Sequence, residues 1–333
     1  MTMLFCAGAM LATVLRYFVV MSRYHLKVLM NPDLPINLPG RPDLYEAIGL
    51  GMLVFMFFLQ SQFATYFGRK NENLYYSTVY LFVVVGIVIC TFAWLRLFRF
   101  TYELFIEFFI RILYRFRVKG EGFASFPLQG PVLVISNHAC WWDPLFIAGE
   151  LPRPMTAMMT AGFYDIWFLR PIMKHAFGVI RVPETTGRRE TPEIGEAVAA
   201  LNNGQCVVLF PEGYLRRKED TPLRRFGRGV YEILKLRPET PVVACWIEGG
   251  WGSWCSWKDG PPVKGKKMDI RRKIDLGMAP PIVVPPELLE NHLATRVFLM
   301  NAVSGARKQL GLEPLPAFPM PGPSSTIEDS GGV

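Results

Sequence analysis

Apolar positions along this chain follow two rhythms, and the change between them divides it. Up to about position 117 they run together. Residues 47–67 hold no charged side chain, and neither do residues 75–95. About 20 apolar residues cross the hydrocarbon core of a bilayer, so each stretch predicts a membrane-spanning helix. The short connector from Gly68 to Asn73 makes the two a helical hairpin. Segment 3–21 is apolar but carries Arg16. It reads as a third span, an interfacial helix or a signal-like segment. Over 97–116, Arg99, Glu103, Glu107, Arg111 and Arg115 recur every four residues among Phe, Leu, Ile and Tyr. This narrow polar stripe predicts a helix. It either lies in the membrane interface or packs beneath the domain that follows.

From Val118 the apolar runs shorten and are bounded by Gly, Pro and Asn. Four of them predict buried strands: 131–136 (PVLVIS), 178–182 (GVIRV), 204–210 (GQCVVLF) and 241–247 (PVVACWI). Helical stretches are expected at 143–151, 163–176, 193–202 and 227–236. Such alternation predicts the α/β class, with a mixed, partly parallel sheet flanked by helices behind an N-terminal transmembrane helical region. The expected layout is a membrane region over 1–117, a globular domain over 118–314 and a disordered Pro-, Gly- and Ser-rich tail over 315–333.

Composition sharpens this picture. Hydrophobic residues make up 51% of the 333, and the formal net charge is +8. A basic chain with an apolar N-terminal part suits anionic lipid, and no nucleic-acid-binding motif is present. Arg96, Arg99, Arg111, Arg115, Arg117 and Lys119 follow the second span. The positive-inside rule then predicts an integral protein of the cytoplasmic membrane with its globular domain facing the cytoplasm. No two of the six cysteines have CxxC spacing, and four histidines without clustered carboxylates predict no metal site.

The candidate chemistry sits just after the predicted strands, where α/β sheets gather their functional groups. Asn137-His138-Ala139-Cys140-Trp141-Trp142-Asp143 follows PVLVIS. A His and an Asp five positions apart in a turn entering a helix can face each other. The carboxylate then fixes one imidazole tautomer, and the other nitrogen can take a proton from a hydroxyl. Phe210-Pro211-Glu212-Gly213 follows GQCVVLF, and Arg216, Arg217, Lys218, Arg224, Arg225 and Arg228 come next. Arginine suits bidentate phosphate binding. Trp141, Trp142, Trp251, Trp254 and Trp257 are candidates for seating the domain at headgroup level.

NHACWWD, GVIRV, FPEG and PVVACWI stand in the order of the blocks of the glycerol-phosphate and lysophospholipid acyltransferases, and the region from about 118 to 312 resembles that family. Tyr214 and Leu215 before Arg216, with Gly249-Gly250-Trp251-Gly252-Ser253 later, are similar to the acyltransferase part of bacterial 2-acylglycerophosphoethanolamine acyltransferases. The resemblance implies O-acyl transfer in phospholipid biosynthesis or remodelling. A thioester donor, acyl-CoA or acyl carrier protein, would acylate a lysophospholipid or 1-acylglycerol-3-phosphate, with membrane lipids as partners and no bound cofactor. His138 would be the general base and Asp143 its orienting partner. Asn137, Arg181, Glu212, Gly213, Arg216, Arg217 and Arg228 would bind substrate. The family often has Ser where Cys140 stands. In the family's second block an Arg commonly follows the last apolar residue, whereas Pro183 and Glu184 follow Val182, so Arg181 or Arg188 must substitute. Two readings on the same fold stay open, an acyl hydrolase and an inactive membrane scaffold. A covalent route through Cys140 is a further alternative.

Overall fold

In the computed structural model, residues 109–184 and 191–321 are described, with single positions 73, 76, 77, 80 and 84. The chain divides after Phe109 into two units. The predicted segments 3–21 and 47–67 lie outside the described residues. Of 75–95, the described positions Tyr76, Ser77, Tyr80 and Val84 are helical and exposed. Among the described residues no helix is long and apolar enough to cross a membrane.

The second unit is built on a seven-stranded sheet. Its strands are β1 (Tyr114–Lys119), β2 (Val132–Ser136), β3 (Met155–Thr160), β4 (Ile180–Val182), β5 (Cys206–Leu209), β6 (Val242–Glu248) and β7 (Arg272–Met278). They lie in the order β1-β7-β6-β2-β5-β3-β4. From β6 to β4 all neighbours are parallel. β7 turns antiparallel against β6, and β1 runs parallel to β7. The mixed, partly parallel sheet expected from sequence is therefore present.

β2 is central because its residues are apolar on both faces, and Val132 to Ile135 are fully buried. Val134 sits between Val208 of β5 and Val243 of β6. The helices are α1 (Glu121–Ala124), α2 (Asp143–Glu150), α3 (Ala161–Tyr164), α4 (Pro192–Asn202), α5 (Gly229–Leu236), α6 (Pro286–Leu289) and α7 (His292–Gly305). Ile194, Ala197 and Leu201 of α4 join Val230, Ile233 and Leu234 of α5 in one core with Leu299, Met300 and Val303 of α7.

Three expectations are corrected. The helix predicted over 97–116 ends by 113, and Tyr114 begins β1. Tyr114, Phe116 and Val118 alternate with Arg115, Arg117 and Lys119, and this two-residue period pairs with β7, where Arg117 Nε donates to Asp275 at 3.0 Å. The helix expected over 163–176 is broken into α3, a turn and a wide helical turn at Ile172–Ala176. The tail is ordered as far as residue 321. The Leu315 N–H donates to Ser304 Oγ at 2.8 Å, and Phe318 packs on the core while Asn301 pairs with its backbone.

Candidate active site

All five parallel strands point their carboxyl ends to one edge, and the loops leaving β2, β5 and β6 interlock there. Asp143 opens α2 and is fully buried. Its Oδ2 accepts from the backbone N–H groups of Ala139 at 2.6 Å and Cys140 at 2.8 Å, and lies 3.0 Å from His138 Nδ1. An ionised carboxylate can only accept, so Nδ1 carries the hydrogen and Nε2 presents a lone pair. The imidazole stacks on Phe210, with centroids 4.2 Å apart. Its side chain keeps 18% exposure, enough to meet a reactant. The two residues expected to work together are in contact.

The turn after β5 clamps this loop. Gly213 takes a φ of 73°, open to glycine without strain. Glu212 is buried, and its two oxygens accept the backbone N–H of His138 at 2.7 Å and of Arg224 at 2.9 Å. The backbone N–H of Arg216 donates to the His138 carbonyl at 2.7 Å. Burial pushes the Glu212 carboxyl up to about 8, although the two N–H donors pull the other way. Expected at the substrate, Glu212 spends both oxygens joining the β2 and β5 loops. Asn137 does the same between strands, donating to the Ile247 carbonyl at 3.0 Å and accepting the Ile247 N–H at 2.7 Å.

The third loop, after β6, closes the back. The Trp141 N–H donates to the Cys255 carbonyl at 3.2 Å. Gly250 lies so close that a Cβ there would stand 3.0 Å from Asp143 Oδ1 and 3.5 Å from Cys140 Sγ. Arg272 of β7 reaches the carbonyls of Gly249, Trp251 and Gly252 at 2.7, 2.9 and 3.3 Å. These supports are absent from the motif reading. Their one sequence signal is the run GGWGSWCSW directly after a strand.

The expected phosphate ligands divide. Arg181 is tied to Asp165, with Nη2 2.5 Å from Oδ2, on the edge strand β4. Arg228 is tied to Glu232 one turn along α5, at 2.6 Å. Arg216 donates to the Lys218 and Glu219 carbonyls and lies over Trp251 at 4.4 Å. Arg217 is exposed and lies over Trp257 at 3.4 Å, with no carboxylate partner among the described residues. Arg188 is outside the described residues.

The tryptophans divide likewise. Trp251 and Trp257 lie under arginines, while Trp254 packs against Trp142 and donates to the Tyr114 hydroxyl at 3.0 Å. Trp141 is 40% exposed and touches Phe163, beyond which Trp167 and Phe168 stand in solvent. Among the described residues no cluster of His, Cys, Asp and Glu is fit to hold a metal. The Cys140 thiol is buried and donates to Asp143 Oδ1 at 3.1 Å, and burial pushes it well up, which makes it a poor nucleophile.

Curated relatives include uncharacterized proteins of Mycobacterium tuberculosis and Mycobacterium bovis, each 31% identical over 144 residues, covering 40% of this chain and 38% of theirs. One from Mycobacterium leprae is 28% identical over 153 residues, covering 44% and 39%. The chain thus spans about two fifths of the length of the curated relatives it matches. Among solved structures, the 1-acyl-sn-glycerophosphate (LPA) acyltransferase PlsC from Thermotoga maritima aligns at 19% identity and a TM-score of 0.47, covering 77% of this chain and 96% of that one. The family model described as Acyltransferase matches residues 115–248, a stretch running from β1 through the three interlocked loops to the end of β6. His138 and Asp143 both lie within that matched stretch, so the domain that carries them is similar to the acyltransferase family.

Proposed function

We propose that this protein transfers a fatty acyl group from a thioester donor to the free hydroxyl of a lysophospholipid or 1-acylglycerol-3-phosphate. The observation that carries the reading is the His138–Asp143 pair, held at 3.0 Å on the open edge of the sheet within the acyltransferase-matched stretch. His138 Nε2 takes the hydroxyl proton, and the oxygen attacks the thioester carbonyl. The carrier thiolate leaves and takes a proton from the imidazolium, which restores the base. A positioned base of this kind contributes roughly 10²–10⁴-fold in rate.

Arg217 is the first choice for the acceptor's phosphate. Its guanidinium carbon stands 3.4 Å from the Trp257 ring centroid, and no carboxylate among the described residues pairs with it. Arg181 and Arg228 would first have to give up Asp165 and Glu232. The apolar stretches before residue 109 and the exposed Trp167 and Phe168 suit a chain working on the cytoplasmic membrane with this domain in the cytoplasm.

The test is to incubate the purified full chain with a panel of lysolipids and with acyl-CoA or acyl carrier protein donors, read by lipid mass spectrometry. Diacyl product from the native chain and none from His138→Ala is the expected result. Free fatty acid without diacyl product assigns a hydrolase instead, and no acyl turnover at all overturns the reading.

A further inference from the structure

We propose that Cys140 is a positioning residue for the catalytic pair: its thiol is the donor that holds the second oxygen of the Asp143 carboxylate, and the loop after β6 holds the thiol. This rests on the reading of His138 as the base.

The two oxygens of Asp143 are treated differently. Oδ2 takes the Ala139 and Cys140 N–H groups and faces His138 Nδ1. For Oδ1 the hydrogen-bond donor is Cys140 Sγ, at 3.1 Å. A carboxylate cannot donate, so the hydrogen between them belongs to sulfur. Both residues are wholly buried, so no water relieves a lost bond there. A buried carboxylate oxygen left without its donor can rotate or shift, and Oδ2 and the imidazole would move with it.

The thiol is itself fixed. Its backbone bridges to Ser256, and its sulfur shares a hydrogen bond with Cys255. The Cys140 hydrogen is directed at Asp143, so the one between the two sulfurs is the Cys255 thiol's, while Ser253 Oγ donates to the Gly250 carbonyl at 2.7 Å and lies 3.3 Å from Cys255 Sγ. Gly250 closes the remaining space beside Cys140 Sγ. The β6 loop is thereby shaped around a thiol at position 140.

A thiol is a weak donor, and that has a chemical consequence. It holds Oδ1 while drawing little charge from the carboxylate, which keeps that charge available to the imidazolium. A hydroxyl in its place draws more and makes His138 less basic. An alanine draws none and frees the carboxylate to move. The other titratable groups facing this pair are Glu212, against the His138 backbone, and Cys255 and Tyr114, behind Cys140. All three are unchanged across the variants.

The experiment uses the full chain in detergent micelles with 13C-labelled histidine, the His138 signal being assigned by its loss in His138→Gln. Relative to the native chain, the His138 imidazole should titrate lower in Cys140→Ser and higher in Cys140→Ala. With a lysolipid acceptor, Cys140→Ala should lose about tenfold in kcat with KM unchanged, and Cys140→Ser should recover most of it. Identical titrations in all three proteins overturn the proposal. So does a folded Cys140→Ser without any activity, which assigns a covalent acyl-thioester. If Cys140→Ala does not fold, the native and serine proteins decide the matter between them. The titration needs no turnover, so failure of the acyl-transfer reading shows separately, as a native chain that acylates no acceptor.

Discussion

The turn after β2 and the basic stretch after β5 meet at one edge of the sheet, yet they are built on opposite principles. In the first, polar atoms are buried and each has a fixed partner: Asp143 with three nitrogens and a sulfur, Asn137 with Ile247, and Glu212 reaching in from its neighbour. In the second, Arg217, Lys218 and Arg228 stand in solvent, and Arg217 and Arg228 are held by stacking and a surface ion pair. A buried network has one arrangement and fails as a unit. Exposed charges are screened and share their work. Single changes should therefore be severe in the first region and graded in the second.

The largest contrast is His138→Ala. It should lower kcat by roughly 10²–10⁴-fold and leave the fold intact, because the ring is part-exposed. Steady-state acyl transfer with a matched circular dichroism spectrum checks this. Gly250→Ala comes next. The added methyl would stand 3.0 Å from Asp143 Oδ1, and the neighbours on that side are buried and cannot yield. Activity should fall roughly 10- to 10²-fold through misplacement of the carboxylate. A variant at wild-type rate would show the pocket to be softer than the comparison holds.

Much of this was legible in the sequence, for a physical reason that also explains what was not. β2, β5 and β6 are apolar on both faces and bounded by Gly and Pro, so their runs announce buried strands. The His and Asp lie five residues apart in one turn, so local spacing alone could bring them together. β1 and β7 carry Arg115, Arg117, Lys273 and Asp275, which broke their apolar runs, and Arg111 and Arg115 fitted a helical stripe equally well. β3 is Met- and Thr-rich and lacks the branched aliphatic residues that mark a strand. The roles of Glu212, Gly250 and Cys255 depend on contacts between loops 74 or more residues apart, which no local pattern encodes. Which arginine is free was equally hidden, because Asp165 and Glu232 had to be placed first.

Glu212 lets pH probe the joint between the two regions. Its carboxyl rises from an ordinary value near 4.5 to about 8 in the folded protein, chiefly through burial. The folded state thus holds a proton that the unfolded chain releases. The stabilisation is full below about pH 4.5 and is lost as the pH climbs through 8. Glu212→Gln does not titrate, and its amide can accept only one of the two N–H groups. It should be less stable at the acidic end, by about 1–3 kcal/mol. The gap to the native protein should narrow between pH 5 and pH 8, and thermal melts across that range read it. A gap that widens with pH would mean that the N–H donors outweigh burial.

The smallest effects test the exposed side. Arg217→Gln should raise KM for a phosphate-bearing acceptor about tenfold at unchanged kcat, the loss expected for a charge-assisted contact made equally before and during reaction. Arg228→Gln should change KM less than about twofold, because its exposed pair with Glu232 is worth only a few tenths of a kcal/mol and already occupies it. Raising the salt should shrink the Arg217 effect and leave the His138 effect alone, since screening reaches solvent-facing charges and not a buried dyad. If Arg228 proves the costlier of the two, the partner-free guanidinium has been misidentified. The phosphate then displaces Glu232, and the apparent idleness of Arg228 in its ion pair is that of a resting state.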